Sequence, residues 1–305
     1  MFAEPITAVI ATRDRGKAID AAAQSILANR HPALRLVVVD QSRDDASESA
    51  LLGLRSDPRL TYLRSDTIGL SRARNIGLRL AETELVAFTD DDCEVSHDWL
   101  QKLQSVFEQH PEVAVVFCSV RPGPHDQTVG FIPSYECRGT RVIHTIAEKP
   151  RARGIGAGMA VRRQPVLVLG GFDEQLGAGA RFPAGEDGDI AVRSLIGGFA
   201  VCETDRTFVT HHGFRTWAEG KHLARRDWLG IGAACAKPLR AGYWSFARVP
   251  VYELFVEALS APMDDLMHLR RPRGMGRGAH FLRGFARGIV APFDRDRLLF
   301  KGTRA

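Results

Sequence analysis

Leu85-Val86-Ala87-Phe88-Thr89-Asp90-Asp91-Asp92-Cys93 joins a largely apolar run directly to three carboxylates. The apolar half has the length and composition of a buried strand. In parallel α/β sheets ligands collect beyond the carboxyl ends of strands, where these acids would stand. Three neighbouring carboxylates repel one another, so they persist best around a hard divalent cation. A cation carrying a diphosphate suits that arrangement. The competing reading is a plain acidic turn, with Asp92 or Ser96 capping a helix that starts near His97.

Around this stretch, the first 120 residues alternate short apolar runs with longer amphipathic ones, as a parallel sheet with crossover helices does. Strands are predicted over residues 7–11, 34–40, 60–63, 85–89 and 113–118, and helices over 17–28, 47–54, 71–81 and 98–109. Residues 121–150 are rich in Gly, Pro and polar side chains, and read as a long loop that shapes an acceptor site. A strand over 154–161, a turn at Gly170-Gly171-Phe172-Asp173 and a helix over 186–196 follow. The expected fold is α/β: a three-layer α/β/α sandwich with a mostly parallel central sheet and a helical C-terminal extension. Residues 1–240 form the expected catalytic domain, split at 120 into a nucleotide-binding half and an acceptor half; 241–305 form the basic extension.

With 305 residues, 45% hydrophobic and 25% charged, the chain has the composition of an ordinary globular protein able to bury one large core or two modest ones. Met1 to Pro5 lacks the basic start of a secretory signal, and no apolar stretch is long enough to cross a membrane. The five cysteines are scattered and odd in number, which favours a reducing, cytoplasmic setting. The net charge of +5 is uneven: Arg270 to Ala305 holds ten basic residues and two acidic ones, leaving 31 basic against 34 acidic in the rest. The body is therefore no basic nucleic-acid binder. The tail, in which arginines alternate with Phe281, Leu282, Phe285, Ile289 and Val290, suits peripheral contact with an anionic membrane face, or a docked or loose basic tail.

Other polar features stand at the ends of apolar runs. Thr12-Arg13-Asp14-Arg15 offers amides and guanidinium groups to a nucleotide, or forms a solvated turn. Asp40 can accept hydrogen bonds from a base or ribose, or cap the turn before Ser42. The segment Gly69 to Gly77, with Arg72 and Arg74, opens a helix and suits phosphates, or is an exposed basic face. Glu186-Asp187-Gly188-Asp189 begins a helix, where acids are stabilised by the helix dipole whether or not they act. His211-His212 follows a short apolar strand and offers an imidazole to a metal, or lies on plain surface.

In order and spacing, these pieces resemble the family 2, GT-A type glycosyltransferases, which take a sugar from a nucleotide-diphosphate donor. The resemblance runs from about Pro5 to Arg240 and rests on residues 8–15, Val37-Val38-Val39-Asp40-Gln41-Ser42, the Gly69 to Gly77 segment and Phe88-Thr89-Asp90-Asp91-Asp92. Further on it includes Gly170-Gly171-Phe172-Asp173-Glu174, Gly185-Glu186-Asp187-Gly188-Asp189 and Val209-Thr210-His211-His212-Gly213. The resemblance implies that Thr12, Arg13 and Asp40 contact the nucleoside and that Arg74 lies near the diphosphate. It implies that Asp90 faces ribose or metal, that Asp92 binds Mg²⁺ or Mn²⁺, and that His211 is a third metal contact. Asp187 is implied as general base toward the acceptor hydroxyl, with Glu186 beside it. The donor would be a UDP-, GDP- or dTDP-sugar and the acceptor a saccharide or lipid-linked glycan, with inversion at the anomeric carbon if Asp187 is the base, or retention if it only positions the acceptor. Gly158 departs from the pattern, because relatives often carry Asn there.

Two other classes compete. A dinucleotide-dependent oxidoreductase needs a glycine fingerprint after the first strand, where this chain has only Gly16. A non-catalytic nucleotide-sugar-binding protein would share the fold. The intact acids at 90, 92, 186 and 187 argue against it.

Overall fold

The computed structural model describes residues 4–268 and 274–302. Arg270, Arg271, Arg273 and Arg304 of the basic tail lie outside the described residues, as do Met1 to Ala3.

The first half is built of β1 (Ile6–Thr12), α1 (Ala18–Leu27), β2 (Leu34–Asp40), α2 (Ala46–Ala50), β3 (Leu60–Arg64), α3 (Leu70–Leu80), β4 (Leu85–Asp90), β5 (Cys93–Val95), α4 (Trp99–Gln109) and β6 (Val113–Pro122). After it come β7 (Gly130–Phe131), β8 (Arg141–Ile143), β9 (Met159–Arg162), α5 (Arg163–Val168), α6 (Glu186–Ile196), β10 (Ala200–His211), β11 (Arg215–Thr216) and α7 (Trp217–Arg240). The chain closes with α8 (Arg248–Tyr252), a π-helical stretch over Glu253–Ala258, α9 (Ser260–Met267), α10 (Gly276–Val290) and the hairpin β12 (Phe293–Asp294) and β13 (Leu299–Phe300).

Alternation explains the central sheet. In β1, Ile6, Ala8 and Ile10 enter one core beside α1 and α4, while Val9 enters the other beside α3 and α6; in β2, Leu34, Leu36 and Val38 oppose Val37 and Val39 in the same way. Both faces are covered by helices, so the central residues of these strands, 8–11 and 36–39, are apolar on both sides rather than alternating with polar residues. The strand order is β3-β2-β1-β4-β9-β6-β10-β5, with β8 beside β10. The pairs β2–β3, β1–β2, β1–β4 and β6–β10 are parallel, and β9 runs antiparallel between β4 and β6. The sheet is thus parallel in its first half and mixed in its second.

Three expectations are corrected. The strand expected over 154–161 shortens to Met159–Arg162, because Gly156–Gly158 form a 3₁₀ turn at the cavity wall. The helix expected over 47–54 breaks into α2 and a 3₁₀ turn at Leu52–Leu54, where Gly53 weakens helical propagation. Residues 121–150 are not all loop: they contain β7, β8 and the start of a 3₁₀ helix over Ile146–Arg151, closed by a Thr145–Glu148 capping box.

Buried polar contacts lock the second half to the first. Asn75 on α3 donates to the Phe172 carbonyl at 2.9 Å and accepts from the Phe172 amide at 2.7 Å, fixing the turn beyond α5. Lys237 on α7 sits between Asp173 at 2.5 Å and Asp189 at 2.7 Å, and Asp189 also binds Arg193 at 2.9 Å. The Phe300 amide donates to Asp173 Oδ2 at 2.8 Å, so the terminal hairpin joins the same network. α10 lies along α7, with Gly284 against the Leu229 backbone and Gly288 against that of Ala233.

Helix α3 crosses β1 at Gly77, where a methyl group would be driven into the Val9 side chain. Gly77→Ala should therefore destabilise the fold by about 1–3 kcal/mol. Helix propensity alone predicts a gain of up to about 1 kcal/mol. Denaturant unfolding of the variant distinguishes the two, and a stabilised variant would refute the close α3–β1 packing.

Candidate active site

The carboxyl ends of the parallel strands meet at one edge. Strand register places Ala11 beside Asp90 and Thr12 beside Asp40. There a cavity of about 680 Å³ opens, walled by β1 and β4 on one side and by Gly154–Ala157, α6 and α7 on the other.

Asp90, Asp91 and Asp92 leave β4 in three directions. Asp91 is buried; it accepts from the Thr12 hydroxyl at 2.7 Å and pairs with Arg15 at 3.2 Å. Burial pushes its carboxyl up to about 6, against the pull of Thr12 and Arg15. Asp92 lies between Arg15 at 2.5 Å and His211 Nε2 at 3.2 Å. Burial raises its pKa, but the hydrogen bond and charge of His211 together with Arg15 outweigh that and leave it lowered. Asp90 is raised, chiefly by desolvation and against the attraction of Arg74.

His211 reaches this cluster through strand pairing. It ends β10, whose antiparallel register with β5 sets it opposite Cys93, next to Asp92 in sequence. Its Nδ1–H donates to the Pro133 carbonyl at 2.8 Å, which turns Nε2 toward the acids. Gly213 follows because a Cβ there would stand 2.6 Å from both Asp92 Oδ2 and His211 Nε2. One ligand atom each from Asp90, Asp92, Cys93 and His211 lies within 4.8 Å of all the others. Desolvation raises the Cys93 thiol, and its soft sulfur is a poor match to Mg²⁺ or Mn²⁺ beside two carboxylates. Two carboxylates and an imidazole suit Mg²⁺ or Mn²⁺, with Mn²⁺ the better match to the nitrogen.

Arg74 is almost wholly buried, 3.0 Å from Glu186 and 3.5 Å from Asp90, and so links the two walls. Glu186 is pushed up to about 7 by burial and by Asp187 against the opposing pull of Arg74. Asp187 stands at the start of α6 and lines the cavity; its Oδ2 accepts from the Gly156 amide at 2.9 Å and its Oδ1 from the Gly188 amide at 2.6 Å. Arg13 also lines the cavity, with Nε 3.4 Å from Asp14.

Asp40 follows the turn alternative of the sequence reading, before Ser42, and not the nucleoside contact that the resemblance implies. Its carboxylate is fully buried, accepts from Tyr62 Oη and the Ser42 amide at 2.8 Å each, and does not line the cavity; the neighbouring Gln41 does. Several cavity residues escaped that reading, Arg15 and Asp227 among them. Arg15 lies in a quoted motif, but its double pairing with Asp91 and Asp92 depends on the turn after β1. Asp227 projects from α7 and is raised to about 6, mainly by burial, with Asp187 adding to the effect and Arg226 opposing it. A lone acid among the arginines of an amphipathic helix carries no local signal of this placement.

Comparison with known proteins places the chain. The family model for glycosyl transferase family 2 matches residues 7–168. The chain is 25% identical over 176 residues to a glucosyl-dolichyl phosphate glucuronosyltransferase of Haloferax volcanii, an alignment covering 54% of each protein. It is 31% identical over 93 residues to glycosyltransferase GlyA of Streptococcus pneumoniae, covering 30% of this chain and 13% of that one. The chain thus spans about half the length, or less, of these curated relatives. Among solved structures, mannosyltransferase PcManGT from Pyrobaculum calidifontis, in complex with GDP-Man and Mn²⁺, superposes with a TM-score of 0.65 at 19% identity, covering 95% of this chain and 88% of that one. S. aureus TarS 1–349 in complex with UDP-GlcNAc gives 0.58 at 16% identity, covering 97% and 84%. These structural likenesses show the GT-A fold. With its family model matched over more than half its length, the chain belongs to glycosyl transferase family 2.

Proposed function

We propose that this chain is a metal-dependent glycosyltransferase that moves a sugar from a nucleotide-diphosphate donor to a hydroxyl of a saccharide or lipid-linked glycan, with inversion. The observation carrying the reading is the convergence of Asp90, Asp92 and His211 on one wall of a cavity whose opposite wall presents Asp187. The relatives solved with GDP-Man and Mn²⁺ or with UDP-GlcNAc support a UDP-, GDP- or dTDP-sugar as donor.

In this reading Thr12, Arg13 and Gln41 border the nucleoside, with Asp40 bracing the β2 end from behind. Arg15 and Arg74 keep the acids paired at the place where a diphosphate would sit. Asp90, Asp92 and His211 would hold Mg²⁺ or Mn²⁺, which when bound neutralises charge on the leaving diphosphate. Asp187, anchored by two backbone amides, accepts the proton of the attacking hydroxyl, and Glu186 and Arg74 fix its helix against β4. In-line attack from the Asp187 side inverts the anomeric centre. The first 240 residues act as the catalytic part and 241–305 as an extension that meets the inner face of a membrane.

Calorimetry should find that Mn²⁺ tightens UDP or GDP binding in the parent and not in Asp92→Asn. Equal metal dependence in both proteins would remove the metal assignment.

Single-turnover transfer at saturating donor tests the base. Asp187→Asn keeps the size of the side chain, so transfer should fall about 10²- to 10⁴-fold while donor affinity changes little. If Asp187 only stabilises the start of α6, the cost is about 0.3–1 kcal/mol of stability and the rate is kept. Transfer within a few-fold of the parent would return Asp187 to that structural role.

A further inference from the structure

Among the described residues, twenty large apolar side chains are exposed, and twelve of them fall within residues 243–290. That is one sixth of the sequence, so the concentration is a property of the C-terminal helices and not of the surface at large. Val251, Phe255, Met263 and Met267 recur at helical spacing along α8, the π-helical stretch and α9, each about half exposed or more. On α10, Phe281, Gly284 and Gly288 face α7, while Leu282, Ile289 and Val290 point away from it. The two apolar stripes are neighbours, because Gly278 of α10 packs against Leu254 and Leu259.

Arginines accompany these stripes. Arg248, Arg283 and Arg287 are exposed and have no carboxylate partner among the described residues. The acids nearby are already engaged: Glu253 and Glu257 both pair with Arg153, and Asp264 of α9 lies 3.3 Å from His268. An apolar band with unpaired arginines beside it matches the interfacial layer of a bilayer, where the band enters the acyl boundary and the guanidinium groups meet lipid phosphates. A second copy of the chain fits less well, since a two-fold contact sets a patch against itself and would bring these arginines together.

We infer that the outer face of α8, the π-helical stretch, α9 and α10 is a docking surface for an anionic lipid bilayer. The inner side of the same helices contributes Val249 and Glu253 to the cavity wall beyond Asp187, with Phe246 just before them. Docking therefore brings that chamber to about one helix diameter, ~10 Å, from the headgroup layer. A lipid-linked acceptor would be presented there; this link rests on the function proposed above, whereas the docking does not.

The test is flotation of the full chain with phosphatidylcholine vesicles and with the same vesicles containing about a third phosphatidylglycerol. Recovery should be high with the anionic vesicles, low with the neutral ones, and should fall as salt is raised. Arg283→Gln combined with Arg287→Gln should lower partitioning about thirtyfold. Phe255→Ser combined with Leu282→Ser should abolish it, while melting temperature and UDP or GDP binding stay at the parental level. Equal recovery with both vesicle types, or recovery independent of salt, overturns the proposal without any variant. A dimer in light scattering that the Phe255 and Leu282 changes dissociate, with no flotation of the parent, assigns the surface to a second copy instead. Normal flotation by a chain that neither binds nucleotide nor transfers sugar would sink the proposed function and leave the docking surface standing.

Discussion

Carboxylate crowding is the constraint around which the rest of the molecule is arranged. Asp90, Asp91, Asp92, Glu186 and Asp187 all border one cavity, and among the described residues two guanidinium groups, the exposed Arg15 and the buried Arg74, pair with them directly. With all five acids ionised, these two groups balance only part of the charge. The structure meets this partly by raising the carboxyls of Asp90, Asp91 and Glu186, whose desolvation makes ionisation costly. The rest invites a divalent cation, and the acids with a well-placed imidazole beside them are the ones near which it would sit. Arg74 also has a mechanical consequence. Because it holds Asp90 of β4 and Glu186 of α6 at once, it ties the two walls of the cavity together.

Register converts this electrostatics into geometry. A slip of one residue between β5 and β10 would turn His211 to the other face of the sheet, away from Asp92. The long β10 strand reaches that register only after an irregularity between Thr204 and Phe208, which lets it pair with β6 along its length and still deliver His211 to the cavity edge. Gly213 then keeps the space beside the imidazole clear.

Much of the parallel half was legible because its strands are buried on both faces, which leaves apolar runs of strand length, as in residues 36–39 within β2. The acids at 90, 92, 186 and 187 were legible because each set stands at the end of such a run or the start of a helix. The second half was harder for physical reasons. Whether residues near Gly156 extend or turn depends on Asp187 accepting the Gly156 amide, a contact 31 residues away. That Gln41 and not Asp40 faces the cavity depends on Tyr62, which draws the Asp40 carboxylate into the sheet's interior. Asp227 and the outward stripes of α8 to α10 gain meaning only when α7 is packed against α6 and α10, and no local pattern encodes that packing.

The network of Asp173, Lys237, Asp189 and Arg193 bears on how the α6–α7 wall of the cavity stays in place. Buried ion pairs of this kind are weak evidence for net stability, since desolvation consumes most of the Coulomb gain, yet removing one partner leaves an uncompensated charge in the interior. Lys237 on α7 lies between the turn after α5 and the first turn of α6, and Asp173 also accepts the Phe300 amide. These four pieces therefore shift together or not at all. Since α6 carries Asp187 and α7 carries Asp227, the network fixes the spacing of these two cavity-lining acids. The C-terminal segment, by closing over Lys237 with the Phe300 ring 4.9 Å from its ammonium group, completes that wall rather than merely following it.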